Sequence, residues 1–204
     1  MRRLLQRLLK KTINRLSDKY SDRPDQARVN AALNKLYLSI LTKPGKRGKM
    51  IEFSPDKQRF IILSDQHKGA RDDADDFALA EDNYLAALDY YNSLNFHYIN
   101  LGDSEELWEN NFLQVKKHNG ATFNLEKKFI NRNAFIKVFG NHDLYWDHSP
   151  LAALSLQQVY GQKIRIYEGV VLQTRIKGKP LAIYLTHGHQ GDLRSDGNAF
   201  SKWF

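Results

Sequence analysis

From residue 59 onward, short apolar runs alternate with segments whose apolar residues recur every three or four positions, the spacing of a helix face. Phe60–Leu63, Phe96–Leu101 and Ala134–Phe139 are short runs rich in β-branched, aromatic and leucine residues and predict strands. Phe77, Leu79, Tyr84, Leu85, Leu88 and Tyr91 predict a helix between the first two runs. Residues 105–131 predict a largely helical stretch, and 151–160 another helix. Lys163–Tyr167, Val170–Ile176 and Leu181–Leu185 then predict three more strands, the last two joined by the turn Lys177-Gly178-Lys179-Pro180. Strand–helix alternation followed by strand–turn–strand predicts an α/β layered domain with a mixed sheet or a pair of sheets.

Before residue 50 the pattern is different. Leu4, Leu5, Leu8, Leu9, Ile13 and Leu16 fall at helical spacing among Arg2, Arg3, Arg7, Lys10, Lys11 and Arg15, which predicts a basic amphipathic helix. Ser17, Asp18, Ser21 and Asp22 close it, Pro24 suits the first turn of a second helix reaching about Leu41, and residues 43–49 read as a flexible basic linker. The chain therefore divides into a basic helical arm and linker, residues 1–50, and a body, residues 51–204. The arm has two readings: a helical pair packed on the body, or a helix over residues 2–16 lying on an anionic membrane surface or an acidic partner.

Charge sharpens this division. Residues 1–50 carry 14 Lys and Arg against three acids, whereas residues 51–204 carry 17 against 20, so the formal net charge of +8 resides wholly in the arm. A nucleic-acid-binding body is not expected, because the phosphate-neutralising charge is missing there. With 42% hydrophobic and 12% aromatic residues the chain has the apolar surface to fold, and its zero cysteines exclude a disulfide framework, a thiolate metal site and a thiol nucleophile. No apolar run approaches the roughly 20 residues of a membrane span, and no secretory signal opens the chain. The expected setting is cytoplasmic, peripheral on the inner membrane face if the arm binds lipid; oligomeric state is not legible.

The chemistry-bearing residues stand at the ends of the predicted strands. The first run delivers Asp65-Gln66-His67, the second Gly102-Asp103, the third Gly140-Asn141-His142-Asp143 and the last Thr186-His187-Gly188-His189. The carboxyl ends of strands are where ligands gather in open α/β sheets. Carboxylates mixed with imidazoles and an Asn carbonyl suit Mn, Fe, Zn or a similar divalent ion rather than a thiolate site or an all-oxygen calcium cage. Each motif alone is weak; their joint occurrence in order points to a metal site.

This ordered set, Asp65-x-His67, Gly102-Asp103, Gly140-Asn141-His142-Asp143 and His187, resembles the calcineurin-like metallophosphoesterases over roughly residues 59–190. The resemblance implies a two-sheet α/β sandwich, to which the residue pattern adds the N-terminal basic helical extension, and it implies two divalent metal ions at the strand ends: Mn, with Fe, Zn or Mg as alternatives. It implies Asp65 and His67 as ligands of one ion, Asp103 as the carboxylate shared by both, and Asn141 and His187 as ligands of the other. His142 would face the phosphate ester as the catalytic histidine, with Asp143 orienting its imidazole. The implied activity is hydrolysis of a phosphodiester, phosphomonoester or pyrophosphate bond. The family's closing Gly-His-x-His element has no full match before Phe204. This leads to the expectation that the chain is a piece of a longer protein, or that His189, alone or with a second chain, completes the ligand set. The stretch Gly102-Asp103-Ser104-Glu105-Glu106-Leu107-Trp108 is more similar to the bacterial UDP-2,3-diacylglucosamine pyrophosphohydrolase branch than to the phosphoprotein phosphatases. The alternative is a non-catalytic scaffold of the same shape, attached through its arm. Around the site, Arg71 is a candidate phosphate contact and Asp72, Asp73, Asp75 and Asp76 an acidic helix start. Trp108, Tyr145 and Trp146 are either pocket walls or core.

Overall fold

Asp25 opens the first long helix, α1 (Gln26–Thr42), by accepting the Ala27 and Arg28 backbone N–H groups on its carboxylate, the standard way to satisfy a helix's orphan donors. The computed structural model describes residues 9–12, 15–16, 25–72 and 75–191; residues 9–12 and 15–16 are helical, and the rest of the basic segment 2–16, Asp73 and the terminal Trp203-Phe204 lie outside the described residues.

Four runs form a parallel sheet in the order β2 (Phe60–Leu63), β3 (His97–Leu101), β4 (Phe135–Val138), β5 (Ile166–Tyr167). Helices connect them: α2 (Phe77–Ser93), then α3 (Phe112–His118) and α4 (Gly120–Asn131), then α5 (Tyr145–His148) and α6 (Ala152–Tyr160). The second sheet is mixed, β1 (Gly48–Glu52) running parallel to β6 (Gly169–Ile176) and β7 (Lys179–Thr186) antiparallel to it. The β6–β7 turn leaves only Lys177 and Gly178 between the strands, both at positive φ (49° and 79°), as a two-residue hairpin matched to strand twist requires.

Alternation along the strands stacks these elements. Tyr98 of β3 packs with Phe77, Tyr84 and Leu88 of α2 and with Leu125 and Phe129 of α4. Its neighbour Ile99 points the other way, joining Ile136 and Val138 of β4 and Val170 and Leu172 of β6. Between the last two, Val171 meets Leu36 and Ile40 of α1 on the far side. Helix, mixed sheet, parallel sheet and helices thus lie in that order, an α/β architecture with two sheets.

Three expectations change. Residues 48–52, expected as the end of a linker and the start of the body, are β1, so the division at residue 50 falls inside a strand and α1 belongs to the core. Five residues rich in Lys, Gly and Glu carry little strand signal; pairing with β6 makes the strand. Residues 105–131 are irregular up to Asn111, and Asn119 then separates two helices. The strand expected over 163–167 shrinks to Ile166–Tyr167. Among the described residues no helix is long and apolar enough to cross a membrane.

Candidate metal centre

Parallel pairing in register, Leu63 against Asn100 and Leu101 against Val138, brings the loops after β2, β3 and β4 out side by side. Antiparallel pairing sets Thr186 of β7 against Gly169, which follows β5 closely, and so carries His187 to the same edge. The first two loops are laced together: Asp65 N–H donates to Gly102 O, His67 N–H to Asp103 O and Lys68 N–H to Ser104 O, and Glu106 N–H returns to Lys68 O. Asp65, His67 and Asp103 all sit at positive φ (58°, 49° and 49°), a sparsely populated conformation for residues with a side chain, held here by that lacing. Two glycines make room. A Cβ on Gly102 would stand 2.7 Å from the His187 ring, and one on Gly140 would stand 2.8 Å from His187 Nδ1 and closer still to Asp103 Oδ1.

The side chains converge on two adjoining groups, Asp65, Asp103 and His187 in one, His67, Glu106 and His142 in the other. His187 Nε2 lies 3.4 Å from Asp65 Oδ1 and 3.3 Å from Asp103 Oδ2. His67 Nε2 lies 3.9 Å and 3.8 Å from the same two oxygens, which joins the groups. Asp103 is nearly buried, and its other oxygen, Oδ1, accepts the His142 backbone N–H at 2.8 Å. Glu106 is the residue that motif reading missed as a site group: its Oε2 meets both His67 Nδ1 (2.8 Å) and His142 Nδ1 (2.7 Å). Both rings therefore present Nε2 away from it, the arrangement in which a carboxylate behind an imidazole orients a metal-ligating nitrogen. The signal was in the sequence, as an acid three residues after the strand-end Asp103.

Titration follows this geometry. Burial alone would raise the Glu106 carboxyl, but the hydrogen bonds to His142 and His67 win and hold it at about 2. The bond to Glu106 raises His67 despite its burial. Burial would lower His187, yet Asp103 and Asp65 raise it; Asp103, which burial would raise, is lowered mainly by His187. The carboxylates around His67 and His187 thus favour positive charge in the pocket, whose mixed O,N donor set suits a divalent ion. His187 Nδ1 is buried with no hydrogen-bond partner in the structure, an orphan in the cradle that a Gly140 Cβ would fill. The residues present fit a metal ion.

Asp143 requires a correction. Expected to orient the His142 imidazole, it is fully buried and accepts the backbone N–H groups of Gly140 (2.6 Å), Ser104 (3.0 Å) and Asp103 (3.3 Å), so it ties the β3 and β4 turns together. Burial, first of all, raises its carboxyl to about 6. Orientation of His142 falls to Glu106 instead, helped by Trp108, whose indole stacks on the imidazole at 3.8 Å. Asn141 is half-buried on the turn between Gly140 and His142. His189 is buried behind His187, ring centroids 5.6 Å apart, and belongs to neither group.

Of the aromatics, Trp108 is half exposed and, with Tyr145, lines an apolar groove of about 630 Å³ beside His142, whereas Trp146 is core. Arg71 pairs with Glu81 rather than standing free, and Asp75 accepts the Arg71 and Ala78 N–H groups at the start of α2, which fits the acidic helix-start reading. Comparison with protein-family models, with curated proteins and with solved structures returns no match.

Proposed function

We propose that this chain is a metal-dependent phosphoric ester hydrolase of the calcineurin-like metallophosphoesterase kind, cleaving a phosphodiester, phosphomonoester or pyrophosphate bond. The observation that carries the reading is the meeting of three carboxylates and three imidazoles from four strand ends, with residues as distant as Asp65 and His187 within 3.4 Å. Asp65, Asp103 and His187, with His67 and Asn141 adjoining, would hold two divalent ions, Mn in first place. Bound there, such ions supply an activated water and neutralise charge on the phosphoryl oxygens.

The chain's own groups do the rest. Glu106 holds Nδ1 of His142, so its Nε2 is the nitrogen left to hydrogen-bond the phosphate or to protonate the departing oxygen. Trp108 keeps the ring from swinging, and the groove that it lines beside His142 is an entry for the ester's organic part. Asp103 fixes the β4 turn to the site through the His142 N–H.

The test is hydrolysis of bis(p-nitrophenyl) phosphate by the purified chain with Mn²⁺. Activity is expected, and His142→Ala should lower kcat by about 100-fold or more while Mn²⁺ content is kept. A chain that binds Mn²⁺ but hydrolyses no phosphate ester overturns the proposal in favour of the non-catalytic scaffold.

A further inference from the structure

Beneath the site lies a set of charges that the proposed chemistry does not use. Lys68, Glu105, Glu126 and Lys137 are all fully buried. Lys68 Nζ meets Glu126 Oε1 at 2.8 Å and Glu105 Oε1 at 3.1 Å, and Lys137 Nζ meets Glu105 Oε2 at 2.8 Å. The remaining lone pairs are filled: Ser104 Oγ and Trp146 Nε1 donate to Glu105, and Tyr84 and Tyr160 hydroxyls donate to Glu126. Two cations and two anions thus lie paired and fully buried.

Stability does not explain such a network. Desolvating four charges costs about as much as their attraction returns, and replacement by neutral groups of similar volume is often neutral or stabilising. Its connectivity is more telling. Lys68 directly follows His67, Glu105 directly precedes Glu106 and lies two residues after Asp103, and Trp146 stands four residues after His142, while Lys137 is on β4. Lys68 and Glu105 also form an isolated parallel bridge between their two loops. Every loop of the parallel sheet that carries a site residue is therefore tied to one carboxylate, Glu105.

We infer that Lys68, Glu105, Glu126 and Lys137 are positioning residues, a buried charge network that sets the spacing of the loops carrying Asp65, His67, Asp103 and His142, and so the affinity of the metal centre. The inference rests on the proposed metal-dependent function. Any shift of one loop against another would separate a buried charge from its partner, which is costly, so the paired charges favour one arrangement.

The experiment compares the full chain with the charge-neutral quadruple variant Lys68→Met, Glu105→Gln, Glu126→Gln, Lys137→Met, which keeps one acceptor oxygen at position 105 for the Trp146 indole and one at position 126 for a tyrosine hydroxyl, the other hydroxyl being able to accept from the amide. Two quantities are read: the metal-free thermal midpoint and Mn²⁺ affinity by calorimetry. The expected result is a midpoint equal to or above that of the parent with Mn²⁺ affinity weakened about 10- to 100-fold, the range for supporting residues of metal sites. A folded variant with parental Mn²⁺ affinity overturns the inference. If the quadruple variant does not fold, Glu105→Gln alone decides: a lowered midpoint with parental affinity makes the network merely structural and overturns the inference, and a weakened affinity supports it. A parent chain that takes up no Mn²⁺ removes the proposed function and this inference with it, an outcome distinct from either variant result.

Discussion

Glu106 serves two imidazoles with one oxygen, and this divides its role from that of its neighbour Glu105. Replacing Glu106 by Gln keeps size and one acceptor but removes the charge that holds both Nδ1 protons, so His67 and His142 lose their common reference. Glu106→Gln is expected to lower kcat/KM on bis(p-nitrophenyl) phosphate about 10- to 100-fold with the fold intact, checked by steady-state kinetics beside circular dichroism. Gly140 is the opposite case, a residue that matters for the atoms it lacks. Gly140→Ala puts a methyl against Asp103 Oδ1 and His187 Nδ1. It should abolish Mn²⁺ uptake and cost about 1–3 kcal/mol of stability, the usual penalty of overpacking, measured by metal analysis and urea unfolding.

At the scale of elements, α1 shows how an arm becomes core. Leu36 and Ile40, one helical turn apart, are fully buried against Val171, and Tyr184 of β7 donates its hydroxyl to Leu33 O across the same interface. The helix therefore covers the outer face of the mixed sheet, which would otherwise show a row of apolar side chains to water. Leu36→Ala should cost about 2–5 kcal/mol in urea unfolding, a buried leucine's cavity penalty; a change below 1 kcal/mol would mean that α1 is a dispensable appendage. The basic residues 43–49, legible as linker by composition, lead straight into β1, and Arg47 pairs there with Glu168, the residue just before β6.

Across the whole molecule, the alkaline limit of stability follows from three phenols. Burial, and then the Glu126 carboxylate beside them, raise Tyr84, Tyr98 and Tyr160 well above 10. Unfolding returns each to its ordinary value near 10, so above pH 10 the unfolded chain has released protons that the native chain still holds. Stability is fully present below pH 10 and falls as pH rises toward the folded values. In a 295-nm titration, at least three of the 10 tyrosines should ionise only together with unfolding, and burial raises Tyr184 as well; ten phenols ionising in one step with the fold intact would contradict this. Periodicity by itself determined the α/β class, the β6–β7 hairpin and six of the seven strands: β3 and β4 are buried on both faces and need only apolar side chains to be recognised, and the more exposed β6 and β7 are marked by the short Gly-containing turn between them. Strand-end motifs likewise singled out Asp65, His67, Asp103, His142 and His187, which strand register brings to one edge of the molecule. Only the tertiary structure decided that Glu106 rather than Asp143 holds His142, that residues 48–52 are a strand and that four charges lie buried under the site. Those outcomes depend on which partner stands opposite a side chain across 30 to 120 residues of chain, and polar spacing along a sequence does not encode that.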